Sequence, residues 1–100
     1  DIKSIIIFGI RIWGERCYED LLQSDIAVAF FADNNSSRWN TQFHDTYIIK
    51  PSELKNMDAY VLIAVKEHGN EIKEQLNRME NDALKCVTIN ELMKMYWNRR

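Results

Sequence analysis

The chain has 100 residues, of which 46% are hydrophobic and 28% are charged, and its formal net charge is −2. This is the size and composition of one globular domain with its own core. Because the net charge is slightly negative, we expect neither nucleic acid nor an anionic membrane as a partner. The apolar runs, such as that at residues 26–32, are too short to insert across a bilayer.

Two cysteines, Cys17 and Cys86, are too few for a disulfide framework. Each lies in an apolar segment, where we expect a small buried hydrophobic side chain rather than a reactive thiol. This cysteine usage predicts a cytoplasmic protein. The chain begins at Asp1 rather than at a Met, and we expect residues 1–100 to be a single domain excised from a longer protein.

Strands and helices alternate in the first half of the chain. A strand at Ser4–Phe8 is apolar on both faces, as a central parallel strand must be. It leads through a glycine turn into a predicted helix at residues 14–23. A second buried strand covers residues 26–32 and ends in a dense turn signal, Asp33-Asn34-Asn35-Ser36-Ser37.

The middle of the chain is less regular. Residues 43–49 suggest a short strand or ribbon around a polar bend at His44-Asp45, and Pro51 suits the start of a short helix at residues 52–57. The remaining predictions are a buried strand at 59–65, a helix at 67–79, a strand at 84–87 and a last helix. That last helix begins with a capping box at Thr88-Ile89-Asn90-Glu91.

This element order, β-α-β-(β)-α-β-α-β-α, predicts an α/β fold of three layers. A parallel sheet of four or five strands, in the order 3-2-1-4-5, would carry helices on both faces. That is the Rossmann arrangement without its sixth strand. In the Rossmann motif G-x-G-x-x-G, Gly9 and Gly14 match the first and third glycines, whereas position 11 is Arg.

Ligands of such sheets bind beyond the carboxyl ends of the strands. Gly9 supplies the tight turn there, Gly14 supplies a close contact between helix and strand, and the amides of the helix start favour an anion. Arg11 leaves two alternatives open. Its guanidinium either clamps a phosphate or fills the space and abolishes dinucleotide binding.

Two further loops reach the same edge of the predicted sheet. Asp33 ends the second strand where an acidic residue takes ribose hydroxyls, although it and Asn34 equally suit a plain turn. His68 follows the third long strand and is either a ligand contact or base, or a solvent-exposed residue at the helix start. The two histidines have no thiolate or carboxylate partners at ligand spacing, so no metal site is predicted.

Three tryptophans, Trp13, Trp39 and Trp97, are not clear core residues. They suit half-buried positions at core edges or, alternatively, a contact surface for a second copy or a neighbouring domain. On the last helix, Met95 and Trp97 strengthen the second alternative because the apolar residues there cannot all face one core.

Several segments together resemble a known kind of domain: IIIFG at 5–9, WGER at 13–16 with YEDLL at 18–22, FFADNN at 30–35, PSEL at 51–54 and VLIAV at 61–65. They are similar to a small bacterial Rossmann-like domain of surface-polysaccharide biosynthesis proteins. Relatives precede sugar acetyltransferase domains or are epimerase-like. The resemblance implies that Gly9, Gly14, Asp33 and Asn34 hold a nucleotide sugar, and it transfers no catalytic residue.

The leading hypothesis is a degenerate nucleotide- or nucleotide-sugar-binding module that is not catalytic by itself. Its candidate ligand residues are Gly9, Arg11, Gly14, Asp33, Asn34 and His68. Because of Arg11, NAD is a less favoured cofactor than a nucleotide or a nucleotide sugar. The alternatives are a structural, oligomerising domain with a dead ligand site, and a fragment of an NAD-dependent oxidoreductase or epimerase.

Overall fold

A computed structural model describes the backbone of residues 2–98 and the side chains of residues 2–95. Residues 2–98 contain six strands, namely β1 (Ser4–Phe8), β2 (Ala27–Ala32), β3 (Gln42–Phe43), β4 (Thr46–Ile49), β5 (Ala59–Ile63) and β6 (Leu84–Thr88). The α-helices in this range are α1 (Ile12–Leu21), α2 (Gly69–Asn77) and α3 (Ile89–Asn98), and short 3₁₀ helices cover Ser36–Arg38 and Pro51–Asn56.

The strands form one mixed sheet in the order β3-β4-β2-β1-β5-β6. All neighbouring pairs are parallel except β3 and β4, which are antiparallel. The α/β class is confirmed, but the expected sheet of four or five parallel strands in the order 3-2-1-4-5 is wrong in strand number and order. The difference comes from the hairpin at the edge, which adds β3 outside β4.

The hairpin explains why the sequence prediction fell short there. His44 and Asp45 both adopt positive φ, 54° and 61°, which is the backbone of a two-residue hairpin turn whose twist suits antiparallel strands. Asn-Gly is the usual sequence for this turn, so His-Asp gave only a weak signal. The exposed His44 ring stacks on Tyr18 with centroids 4.5 Å apart, and its Nε2 lies 3.0 Å from Oε1 of Glu15. The hairpin is therefore held against α1.

Side-chain alternation along β1 builds a core on each face of the sheet. Ile6 and Phe8 face the layer that contains the 3₁₀ helix Pro51–Asn56 and α2, with Leu54 and Leu76 buried between them. Ile5 and Ile7 face the opposite layer. That layer is formed by α1 and the start of α3, and its buried or half-buried residues include Phe31, Ile48, Trp13, Cys17, Tyr18 and Ile89. The expected three layers, with helices on both faces, are present.

Both cysteines are free and partly buried, and burial raises the pKa of the Cys17 and Cys86 thiols. At neutral pH they are therefore protonated, as the core interpretation expects. None of the helices in the described part of the chain is long and apolar enough to cross a membrane.

Candidate functional site

The carboxyl ends of β1, β2 and β5 meet at one edge of the sheet, where a cleft of about 620 Å³ opens. Its walls are the β1–α1 loop, the end of β2 and the segment that follows β5. The lining residues are Gly9, Ile10, Arg11, Ile12, Trp13, Asp33, Ala64, Val65, Lys66, Glu67 and His68. A second depression, of about 570 Å³, lies at the opposite ends of the same strands and includes Ser4, Ala59 and Tyr60. Only the first lies where ligands of parallel sheets bind.

Gly9 forms the floor of the cleft in a conformation that other residues rarely adopt, with φ +114°. Its amide donates to the Ala32 carbonyl at 2.8 Å. A Cβ at this position would lie 3.0 Å from Cγ2 of Val65 and 3.1 Å from the Ala64 carbonyl oxygen. The turn after β1 therefore needs glycine both for its φ angle and for the close approach of the neighbouring strand end.

Gly14 lies in the first turn of α1 and packs directly on that floor. A Cβ here would collide with the Gly9 carbonyl oxygen and lie 2.8 Å from its carbonyl carbon. The contact sets the start of α1 against the end of β1 more closely than any other residue would allow. Both glycines thus have the backbone roles that their spacing predicted.

Arg11 is the residue before the first turn of α1, and its backbone is extended, with φ −92° and ψ −156°. The backbone at this position consequently does not require glycine. The exposed side chain does not cap the helix, and it takes part in none of the ion pairs between the residues described. It lines the main cleft and an adjoining pocket of about 280 Å³ with Asp33 and Arg38, and the cleft beside it is open.

One carboxylate oxygen of Asp33 forms a hydrogen bond within the turn that follows β2. Oδ1 accepts a hydrogen bond from the Asn35 amide at 2.8 Å, and the Asp33 backbone carbonyl accepts one from Trp39 Nε1 at 2.6 Å. The turn interpretation therefore accounts for Oδ1. Oδ2 forms no hydrogen bond with any described residue, and Asp33 is among the residues that line the cleft.

The structure does not place the Asn34 side chain in the cleft, where the resemblance implies that it binds the ligand. Its amide exchanges two hydrogen bonds with the amide of Gln75 on α2, at 3.0 and 2.9 Å. It is not among the residues that line the cleft. The side chain instead ties the loop after β2 to α2.

His68 precedes α2 with a left-handed backbone, φ 64° and ψ 11°. That conformation ends the extended segment and explains why α2 begins at Gly69 rather than at the expected residue 67. The side chain is 69% exposed, and its Nδ1 lies 3.3 Å from Oε1 of Glu71. It does not cap α2, so the helices on two walls of the cleft both begin without a side-chain cap.

Trp13 and Lys66 face each other from two walls of the cleft, a contact that the sequence did not reveal. The Lys66 ammonium lies 5.2 Å from the centre of the Trp13 ring, and the Arg16 guanidinium lies 5.0 Å from it. The contact with Arg16 could be predicted from the sequence, because Trp13 and Arg16 are three residues apart on one helix. The contact with Lys66 could not, because Lys66 is far from Trp13 in the sequence.

The residues expected at an association surface fall into different environments. Trp39 is partly buried in the core and its indole donates to Asp33, so it serves the fold. On α3, Leu92 and Met95 are 41% and 55% exposed, whereas the side chain of Trp97 lies outside the described residues. Association through α3 stays a prediction. Among the side chains of residues 2–95, no group of three His, Cys, Asp or Glu is placed to hold a metal ion.

The family described as C2185-like, N-terminal matches residues 1–87. No curated protein matches the chain. Three solved structures of RSP, a Rex-family repressor, are similar in fold, with TM-scores of 0.60 for the protein itself, 0.61 for its complex with β-NAD⁺ and operator DNA and 0.58 for its complex with β-NADH.

The likeness to these repressor structures is one of fold. The sequences are 12%, 11% and 12% identical to the chain, and the matches cover 98%, 97% and 98% of it. The chain spans only 58%, 56% and 59% of the repressor chains. The Rossmann-like architecture is therefore shown, whereas a link to polysaccharide biosynthesis is not.

One expectation from the sequence is overturned by this comparison. The net charge predicts no nucleic-acid partner, but a similar structure is that of a repressor in complex with operator DNA. That prediction is wrong because the net charge of one fold unit does not determine the partners of proteins that contain such a unit.

Proposed function

The chain belongs to the C2185-like N-terminal family, and we propose that it is a nucleotide-binding module whose ligand carries a phosphate or diphosphate group. The observation that carries the proposal is the open cleft at the carboxyl ends of β1, β2 and β5. Its floor is built from Gly9 and Gly14, and two helices begin at its walls without side-chain caps.

The phosphate of the ligand lies at the start of α1 in this proposal. The first amides of a helix have no partners within the helix, and the helix dipole adds a partial positive charge there. Arg11 supplies a guanidinium on the same rim, free of ion pairs with described residues. It acts as a clamp at the side of the phosphate, because a guanidinium forms charge-assisted hydrogen bonds to phosphate oxygens.

The sugar of the nucleotide lies at the end of β2. Asp33 Oδ2 accepts hydrogen bonds from ribose hydroxyls while Oδ1 remains bonded to the Asn35 amide, which holds the carboxylate in place. His68 contacts the ligand from the opposite wall. Asn34 has no part in the proposal because its amide is already paired with Gln75.

The order in which ligands are tested follows from the comparisons. RSP was solved with β-NAD⁺ and β-NADH, so these dinucleotides come first even though Arg11 had made NAD the less favoured cofactor. A nucleotide sugar, and with it a place in surface-polysaccharide biosynthesis, stays a prediction from the sequence resemblance. So does the view that the domain is not catalytic by itself.

The test is an NMR titration of the ¹⁵N-labelled chain with NAD⁺, NADH, ADP-ribose, a uridine diphosphate sugar and duplex DNA. We expect one nucleotide to produce saturable shifts at residues 9–14, at Asp33 and at residues 66–68. No shift in these segments at millimolar nucleotide would overturn the proposal, as would shifts confined to the depression at the opposite end of the strands.

Two pairs of variants sharpen the titration. Asp33→Asn removes the charge at the end of β2, and Asp25→Asn removes the same charge from the opposite ends of the strands, where Asp25 lines a separate pocket. Arg11→Gln is matched by Arg78→Gln at the far end of α2. The proposal expects only Asp33→Asn and Arg11→Gln to weaken binding, each by about tenfold.

A further inference from the structure

Lys66 lies across the candidate cleft in the structure without ligand. It belongs to the segment between β5 and α2, whereas Trp13 belongs to the first turn of α1. Because its ammonium lies 5.2 Å from the centre of the Trp13 ring, the side chain reaches from one wall of the cleft to the other. The contact therefore occupies the rim beside which a phosphate at the start of α1 would enter.

The Lys66 backbone and the Trp13 ring are each held by contacts with the fold, whereas the exposed Lys66 side chain forms no ion pair with a described residue. The Lys66 carbonyl accepts a hydrogen bond from Asn90 Nδ2 at 2.8 Å, which ties the segment to the first turn of α3. Trp13 packs against the core beneath α1. Lys66 is exposed and belongs to no ion pair among the described residues, so the ring is the contact that positions its ammonium.

A phosphate would compete with the ring for that ammonium. An exposed cation–π contact is weaker than a charge-assisted hydrogen bond from an ammonium to a phosphate oxygen. When Lys66 leaves the ring, Arg16 remains 5.0 Å from its centre, so Trp13 keeps one cation. Moving the Lys66 ammonium from the ring to a phosphate therefore costs the protein little interaction free energy.

We propose that the Trp13 ring holds the Lys66 ammonium in the chain without ligand, and that an anionic ligand in the cleft takes this ammonium from the ring. The inference rests on the proposed nucleotide-binding function and deepens it. Lys66 becomes a phosphate-binding residue and Trp13 a residue that opposes binding. The ligand class is one that carries phosphate, since an uncharged nucleoside offers nothing for the ammonium to bind.

The experiment measures ADP affinity by calorimetry for the unchanged chain, Lys66→Gln, Trp13→Leu and the double variant, with Lys55→Gln as an exposed lysine outside the cleft. We expect Lys66→Gln to weaken ADP binding about tenfold, and Trp13→Leu to strengthen it about twofold to fivefold by releasing the ammonium. The double variant should bind like Lys66→Gln alone, and Lys55→Gln like the unchanged chain. Adenosine should bind equally to all of them.

The possible results separate this inference from the proposed function. If the unchanged chain binds none of the nucleotides, the proposed function fails. If it binds ADP and Lys66→Gln binds equally well, only the inference fails, and it fails too if Trp13→Leu weakens binding, because the ring then contacts the ligand. Trp13→Phe keeps an aromatic ring with a weaker attraction for cations, and it provides the same test with less change to the core.

Discussion

The start of α3 and the starts of α1 and α2 are built in opposite ways. At α3, the Thr88 hydroxyl accepts from the Glu91 amide at 3.0 Å, and Glu91 Oε1 accepts from the Thr88 amide at 2.9 Å. Lys73 adds an ion pair to Glu91 at 2.7 Å. Neither Arg11 at α1 nor His68 at α2 caps its helix. The start of α3 is closed by its own side chains, whereas the two at the cleft have no side-chain cap, which is what the proposed nucleotide binding requires.

The largest expected effect tests the floor on which α1 begins. Gly14→Ala places a methyl group against the Gly9 carbonyl, which is backbone and cannot rotate away. We expect the free energy of unfolding in urea to fall by about 3 kcal/mol or more. Gly69→Ala at the start of α2 is the matched control, since its Cβ would meet Thr88 at 3.5 Å, an ordinary contact. That variant should match the unchanged chain or gain up to about 1 kcal/mol; equal losses in both would contradict the close packing at Gly14.

The second prediction removes the cap of α3. Thr88 is 1% exposed, and its hydroxyl is the acceptor for the Glu91 amide. Thr88→Ala should lower the free energy of unfolding by about 1–2 kcal/mol, and Thr88→Ser should retain most of it because the hydroxyl remains. Urea unfolding of the two variants side by side separates the hydrogen bond from the lost methyl group. Equal destabilisation by both would assign the effect to packing instead of capping.

The third prediction concerns a substitution that gives α1 a side-chain cap like that of α3. The extended backbone at Arg11 is that of a helix cap, so Arg11→Ser should raise the free energy of unfolding by about 0.5–1 kcal/mol. The same change should weaken nucleotide binding at least about tenfold, because a guanidinium is lost and an amide is taken. Stability and affinity moving in the same direction would argue against a start reserved for a ligand.

The fourth prediction concerns pH. The hydrogen bond from Lys73, with that from the Thr88 amide, lowers the pKa of Glu91 from its ordinary value of 4.5. A carboxyl with a lower pKa in the folded chain adds stability above its ordinary pKa and loses it as pH falls through the folded value. The difference in Tm between the unchanged chain and Glu91→Gln should therefore be present at pH 7 and shrink below about pH 4.5. A difference that stayed constant to pH 3 would show that the charge of Glu91 contributes nothing.

The smallest expected effect distinguishes the role of Asn34 from that of its neighbour Asp33 at the end of β2. Asn34→Ala removes an exposed pair of amide hydrogen bonds to Gln75 and should cost about 0.5–1 kcal/mol of stability with no change in nucleotide affinity. Asp33→Asn should leave the free energy of unfolding unchanged and weaken nucleotide binding. Loss of affinity in Asn34→Ala would return Asn34 to the ligand site that the resemblance implied.

How much of the site could be predicted depends on how far apart in the sequence the contacting residues lie. The roles of Gly9 and Gly14, and the loops that surround the cleft, follow from a glycine spacing and from strand ends, which are local signals. The pairing of Asn34 with Gln75 joins residues 41 positions apart, and the contact of Lys66 with Trp13 joins two walls of the sheet edge. No periodicity encodes such contacts, because the packing of separate elements decides which side chains meet.

By itself, the sequence determined the elements and their class. Apolar runs such as Ser4–Phe8 specify buried strands, and the Thr88–Glu91 pattern specifies a helix start, because each depends on neighbours within one turn or one strand. Only the tertiary structure decided the extra strand β3, the pairing of Asn34 and the open cleft beside Arg11. These features follow from the free energy of whole layers packed together, to which a residue's near neighbours contribute only a part.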